Sequence, residues 1–231
     1  MKLPSLSNRL MACCSFVKPG SRVADIGCDH GHLGIYLLKK NLADTVIAAD
    51  INEQPLNSAI HNARKYDVSE KMSFHLSNGA ANIPQDFSTL VCAGMGADTM
   101  ISILDNATWL KSEKYRLILQ CQSRRPELRK YLYAQGYCIS AETLAQDGKF
   151  IYPVMEVIYQ PTPPLTPGGY YLSPPLLKSG SPLMGAFYQR VTDGLAATVA
   201  GLSNTGGEKL KYYQSVLDEL RKMEDTVYGK R

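Results

Sequence analysis

No apolar run in this 231-residue chain approaches the roughly 20 residues that a membrane-spanning helix needs. The opening stretch, Met1–Arg9, has neither the apolar core nor the small-residue cleavage site of a secretory signal, so no export is expected. Six cysteines (Cys13, Cys14, Cys28, Cys92, Cys121 and Cys138) form no C-x-x-C pair, and no metal-ligand spacing connects His61 with His75. A metal centre is therefore not expected, and free thiols in apolar runs suit a reducing cytoplasm. Charge of one sign is also lacking. Lys+Arg number 25 against 21 Asp+Glu, a formal +4 with no cationic tail, so composition alone does not announce a nucleic acid. Hydrophobic residues at 45% and charged residues at 20% leave an ordinary globular chain, long enough for one domain and an appendage.

The dinucleotide fingerprint G-x-G-x-x-G is missing too. In its place stands Val23-Ala24-Asp25-Ile26-Gly27-Cys28-Asp29-His30-Gly31-His32-Leu33-Gly34, an apolar strand ending in an acid, a glycine turn and the start of an apolar-periodic helix. Some 20 residues on, Thr45–Asp50 reads as a second strand ending in a carboxylate, which suits the hydroxyls of a ribose. Two carboxylates in the turn would repel a pyrophosphate, which argues against NAD. They suit the ammonium and sulfonium charges of S-adenosylmethionine (SAM). Asp25 and Gly27 are expected to cradle its amino-acid end and Asp50 its ribose, and Asn78, Gly79 and Ala80 to meet its adenine. His30, Gly31, Ile51, Gly94 and Met95 complete the expected cofactor set, although each polar turn residue has an alternative as a simple turn former.

Apolar runs alternate with turn signals along the chain. A helix is predicted over 6–17, strands near 22–27, 45–50, 72–76, 88–93 and 115–121, and helices near 32–40, 53–66, 97–105 and 125–135. Two strand-like runs, 137–144 and 150–159, follow around an Asp147-Gly148 turn signal. The expected fold is α/β, a doubly wound Rossmann-like sheet with an antiparallel terminal hairpin, covering residues 1–160. Seven of the 13 prolines fall in 161–182, which reads as a linker without regular helix. Helical periodicity resumes in 183–231, broken by Ser203–Gly207, and predicts an antiparallel helical hairpin.

Several runs carry a family resemblance: Leu6-Ser7-Asn8-Arg9-Leu10, Asp25–His30, Ala93-Gly94-Met95-Gly96, Leu117-Ile118-Leu119-Gln120 and Asp147-Gly148-Lys149-Phe150. In this order, over residues 5–160, they resemble the bacterial family that methylates N1 of adenine 22 in tRNA. The resemblance implies a SAM-dependent domain that releases S-adenosylhomocysteine, a coiled-coil-like C-terminal domain and tRNA as substrate. The chain departs from the family pattern at His32 and Gly34, where tyrosine and proline are usual, at Asp50 and Ala97 in place of glutamate and glycine, and in its longer spacing around Pro153.

Ala93–Gly96 follows the fourth strand, where the transferred methyl would sit. An Asn/Asp-Pro-Pro-aromatic tetrapeptide, which grips an exocyclic amine, is absent there, and this favours a ring nitrogen as acceptor. Asp29 is the expected catalytic residue, accepting from the adenine N6 amino group, orienting N1 and stabilising the charge that develops on the ring. Its alternatives are a second ligand for the ammonium or a helix cap. Arg9, Arg125, Arg129 and Lys130 are the principal RNA candidates, with Arg124, Lys39-Lys40, Lys209 and Lys211 behind them. Cys121 lacks the surroundings of a cysteine nucleophile. A small-molecule acceptor, or SAM binding without catalysis, are the competing readings. Oligomeric state stays open between monomer and dimer.

Overall fold

The computed structural model describes residues 3–203 and 206–229. Asn204 and Thr205 of the predicted break, and the chain ends Met1, Lys2, Lys230 and Arg231, lie outside the described residues. Seven strands form one sheet: β1 (Ser21–Ile26), β2 (Ala43–Asp50), β3 (Met72–Leu76), β4 (Thr89–Met95), β5 (Arg116–Cys121), β6 (Tyr137–Asp147) and β7 (Phe150–Tyr159). Their order is β3-β2-β1-β4-β5-β7-β6, with β1 to β5 parallel and β7 antiparallel to both neighbours.

The inner strands are apolar along their middles because helices cover both faces. Val23, Val91 and Ile118 point to one face. Ala24, Leu90, Leu117 and Leu119 point to the other. The first face packs against α1 (Asn8–Phe16), α2 (His32–Lys39) and α3 (Glu53–Lys65), the second against α4 (Ala97–Asp105) and α5 (Arg125–Ala134). Strand order reverses between β1 and β4. A crevice therefore opens beyond their carboxyl ends, the place where α/β sheets of this kind bind ligands.

The predicted elements are found within a few residues, and the differences have local causes. β6 runs on to Asp147, so the two loop residues of the β6–β7 hairpin are Gly148 and Lys149, one position later than the Asp-Gly signal suggests. Gly148, at φ +57°, supplies the positive dihedral of a tight two-residue turn. Regular helix is predicted to be absent from 161–182, yet Pro174–Leu177 forms a one-turn helix, α6. Its prolines occupy the first turn, where a missing N–H costs nothing, and Ser173 Oγ caps it by accepting from Leu176 N–H at 3.2 Å.

The helices α7 (Met184–Leu202), α8 (Gly207–Lys222) and α9 (Glu224–Tyr228) follow. Their apolar faces form a third core that includes Leu172 and Leu176 of the proline-rich segment, and Leu144 and Ile151 of the β6–β7 hairpin. That segment is packed, and the hairpin of helices is seated on the sheet edge. Arg129 belongs to the same junction. Sequence placed it among the RNA contacts, but it is 1% exposed, ion-paired to Glu142 and donating to Tyr170 O at 3.0 Å. Ser173 Oγ donates to the other oxygen of Glu142. Burial this complete removes Arg129 from phosphate contact and makes it a tie between α5, β6 and the 170–173 segment.

Candidate active site

The loop from β1 to α2 is built by three left-handed residues in five: Gly27 (φ +71°), Asp29 (φ +50°) and Gly31 (φ +69°). Gly27 N–H and Cys28 N–H both donate to Ala49 O, at 2.8 and 3.0 Å. Asp50, at the end of β2, accepts from Asp29 N–H through Oδ2 at 3.1 Å and from Asn52 N–H through Oδ1 at 3.0 Å. The carboxylate expected at the ribose thus also fastens the loop that carries Asp29. Asp29 itself points outward at the mouth, with its side chain 71% exposed and Oδ1 3.5 Å from His30 Nε2.

Asp25 lies beneath this loop and is buried, with no hydrogen-bond partner for Oδ2. Burial pushes its carboxyl up to about 7; the Gly34 N–H opposes the rise and Asp50 adds to it. An unpaired buried carboxylate is costly, and a cationic ligand would relieve it. A Cβ at Gly27 would overlap Met95 Cε, so the glycine keeps the backbone open to the cavity. An orphaned acid, a bare backbone cradle and a strand-end carboxylate are what the amino-acid and ribose ends of SAM require. The residues fit that group.

The cavity has a volume of about 420 Å³ and is lined by Asp25, Gly27, Asp29, His30, Asp50, Ile51, Asn78, Gly79, Gly94 and Met95, among others. Ser77 shapes its adenine side: Oγ donates to Gly79 O at 2.9 Å and accepts from Asn82 N–H at 3.0 Å. Two members of the expected set are not in the wall. Ala80 turns its methyl into the core. Gly31 starts α2 hard against α3, where a Cβ would come 2.9 Å from Ala59 Cβ, so its role is close helix packing.

Arg9 lies in this wall as well. Its Nη1 donates to Gln120 Oε1 at 3.1 Å, the same oxygen that accepts from Gly94 N–H at 3.0 Å, and its Nε lies 3.7 Å from Asp147 Oδ2. Gln120 is fully buried, and its Nε2 has no partner. A buried glutamine ending an apolar strand was the signal for this role, present in the Leu117–Gln120 run but given no function from sequence. Thr99, Ile103 and Leu10 also line the cavity unpredicted, because nothing local marks them. His32 stacks on His30 with ring centroids 5.6 Å apart, and burial lowers its pKa.

Of the remaining candidates, Lys130 is exposed but donates to Tyr212 Oη at 2.8 Å. Arg125 lies over the Phe187 ring at 5.3 Å, away from the cavity. Cys121 is fully buried, and burial raises its thiol pKa, which excludes a thiolate nucleophile. No helix among the described residues is long and apolar enough to cross a membrane.

The sequence profile described as a methyltransferase domain matches residues 6–155. The tRNA (adenine(22)-N(1))-methyltransferase of Bacillus subtilis is 31% identical over 146 residues, 62% of this chain and 61% of that protein. The chain thus spans about three fifths of the length of the curated relatives it matches. A Streptococcus pneumoniae protein, described as a tRNA (m1A22) methyltransferase and crystallised with S-adenosyl-L-methionine, superposes with a TM-score of 0.80 at 28% identity, over 92% of this chain and 100% of that one. M. capricolum TrmK, solved with S-adenosyl-homocysteine, has a TM-score of 0.79 at 22% identity, over 96% of this chain and 99% of that one, a likeness of fold.

Proposed function

We propose that this chain, which belongs to the methyltransferase-domain family, transfers the methyl group of SAM to N1 of an adenine in tRNA, at position 22 by its likeness to the Bacillus subtilis enzyme, and does so in the cytoplasm. The observation that carries the reading is the buried Asp25 carboxylate, its Oδ2 without a partner, under a glycine loop, with Asp50 on one side and exposed Asp29 at the mouth. SAM, when bound, would supply an electrophilic methyl on a positively charged sulfur. Asp25 would meet the ammonium, Asp50 the ribose hydroxyls, and Asn78 with Gly79 the adenine, all of them residues of the cavity wall.

Asp29 accepts from the N6 amino group of the substrate adenine, which turns the N1 lone pair toward the methyl. SAM bound there would give up its methyl to N1, the carbon–sulfur bond breaking with its electron pair kept on sulfur. The ring gains positive charge, which the Asp29 carboxylate stabilises. Gly94, held by Gln120, has no side chain and so leaves room for the Arg9 guanidinium, which a Cβ there would approach to 3.0 Å. Arg9 keeps N–H groups free of Gln120 for the phosphate of a nucleotide drawn out of its stack.

The test is incubation of purified protein with labelled SAM and unmodified tRNA, followed by nucleoside mass spectrometry. N1-methyladenosine in the D-arm is expected. Label appearing only on small metabolites, or binding with no turnover, would overturn the assignment.

A further inference from the structure

A second recess lies between the sheet and the C-terminal helices. Two contiguous hollows of about 310 and 160 Å³ share Arg125, Phe187, Arg190 and Val191. Arg124 and Arg129 also border the larger one, and each has its own carboxylate: Arg124 pairs with Asp98 at 2.8 Å and Arg129 with Glu142. Arg125 and Arg190 have none within ion-pair distance among the described residues. Arg125 makes one long hydrogen bond, to Ile151 O at 3.4 Å, and Arg190 Nη1 donates to Lys149 O. Glu127 in the first turn of α5 and Asp193 on α7 are acids on these elements, and neither is paired with an arginine.

Two features therefore converge on the recess: two guanidinium groups without a carboxylate partner, and the amino end of α5. Together they form an anion site. Its far wall is the hairpin tip, where Phe150 is 53% exposed and its ring centroid lies 6.0 Å from that of Tyr152. Cations beside an exposed aromatic ring suit single-stranded nucleic acid, whose phosphates and base faces need those two things. The recess is also tied to the active site. Asp147, at the same hairpin, accepts from Asn8 N–H at 2.8 Å and Arg9 N–H at 3.3 Å, and Arg9 lines the cofactor cavity.

We propose that the groove between Arg125, Arg190 and Phe150 holds a phosphodiester and one unpaired base of the RNA strand that carries the target adenine. This rests on the tRNA reading above and assigns the path by which that strand leaves the active site. It places recognition on Arg190 of α7 and Phe150 of the hairpin, so the C-terminal helices complete the binding surface.

The test uses the full chain, an unmodified tRNA transcript and fluorescence anisotropy over a series of KCl concentrations, with SAM binding followed by calorimetry. Arg190→Gln and Arg125→Gln are each expected to weaken tRNA binding about tenfold and to lower the salt slope by about one, because each removes one phosphate contact. Phe150→Ala should weaken binding about tenfold with the slope unchanged, since a stacking contact releases no counterion. SAM affinity should stay at the wild-type value in all three. Arg190 is exposed on α7, so its substitution tests the groove even if Arg125→Gln loosens the packing on Phe187. Wild-type affinity and slope in Arg190→Gln and Phe150→Ala, with the parent protein binding tRNA normally, would overturn the groove alone. A parent protein that binds SAM but no tRNA would overturn the tRNA reading and the groove with it.

Discussion

The backbone N–H of Asp29 donates to the Oδ2 of Asp50 at 3.1 Å, so the residue assigned to the substrate base is held by the residue assigned to the cofactor ribose. Asn52 N–H occupies the other oxygen of Asp50 at 3.0 Å. Each carboxylate oxygen retains a lone pair for a hydroxyl. On the proposed assignment, cofactor binding and placement of Asp29 depend on one side chain.

That coupling separates two substitutions. Asp50→Asn should raise the dissociation constant for S-adenosylhomocysteine about 10–100-fold, in keeping with a loss of about 1.5–3 kcal/mol for hydrogen bonds to a charged group, and should slow single-turnover methyl transfer as well. Asp29→Asn should leave cofactor affinity within about twofold and slow transfer about 100-fold, the scale of one positioned catalytic group. Calorimetry and single-turnover assays read the two effects. Equal loss of cofactor affinity in both variants would refute the division of roles.

Asp25 is expected to make cofactor binding pH-dependent. Its carboxyl is raised to about 7 in the ligand-free protein, chiefly by burial. A raised carboxylate favours the folded state while it is protonated, so its contribution to stability is full below the ordinary carboxylate value and is lost as pH rises through about 7. A bound ammonium favours the ionised form, so SAM binding near pH 6 should release a proton, and affinity should rise from pH 6 toward pH 7.5. Calorimetry at pH 6 in buffers of different ionisation enthalpy measures that proton. Asp25→Asn should abolish it.

Gly27→Ala tests the cradle. The position has φ +71°, and the new methyl would meet Met95 Cε. Met95 ends in a flexible thioether and would be displaced into the cavity. A stability loss of about 1–2 kcal/mol from the left-handed backbone is expected, together with cofactor affinity lower by an order of magnitude or more. Thermal melting with and without cofactor distinguishes the two.

Arg129→Met should destabilise the fold by about 3–5 kcal/mol, because Glu142 would be left buried and unpaired. The double variant Arg129→Met, Glu142→Leu should recover most of that loss. Urea unfolding measures both. Cofactor affinity in the single variant, under conditions where it is folded, should match wild type, since Arg129 is absent from the cavity wall.

Much of this architecture is legible in the residues. The β1 acid, the glycine turn and the β2 carboxylate were identified because a tight turn demands particular dihedrals over a few adjacent positions, and Gly27, Asp29 and Gly31 supply them. The sequence places Ala80 and Gly31 with the cofactor as members of its two turns, yet Ala80 points into the core and Gly31 onto Ala59. Arg125 and Arg129 share a helical face by spacing. Spacing does not say that Glu142 and the Tyr170 carbonyl would enclose the second of them.

Read alone, the residue order determined the alternation of strands and helices, the acids at the strand ends and the helical repeat after the prolines. Each of these follows from periodicity or from dihedral demands within a few residues. Tertiary packing decided that Arg9 joins the cofactor cavity through Gln120, 111 positions away, and that the proline-rich segment packs as part of a third core. It also decided which arginines keep a carboxylate and which face an open groove. The desolvation and pairing of a charge depend on groups brought together across the fold, and no local pattern encodes them.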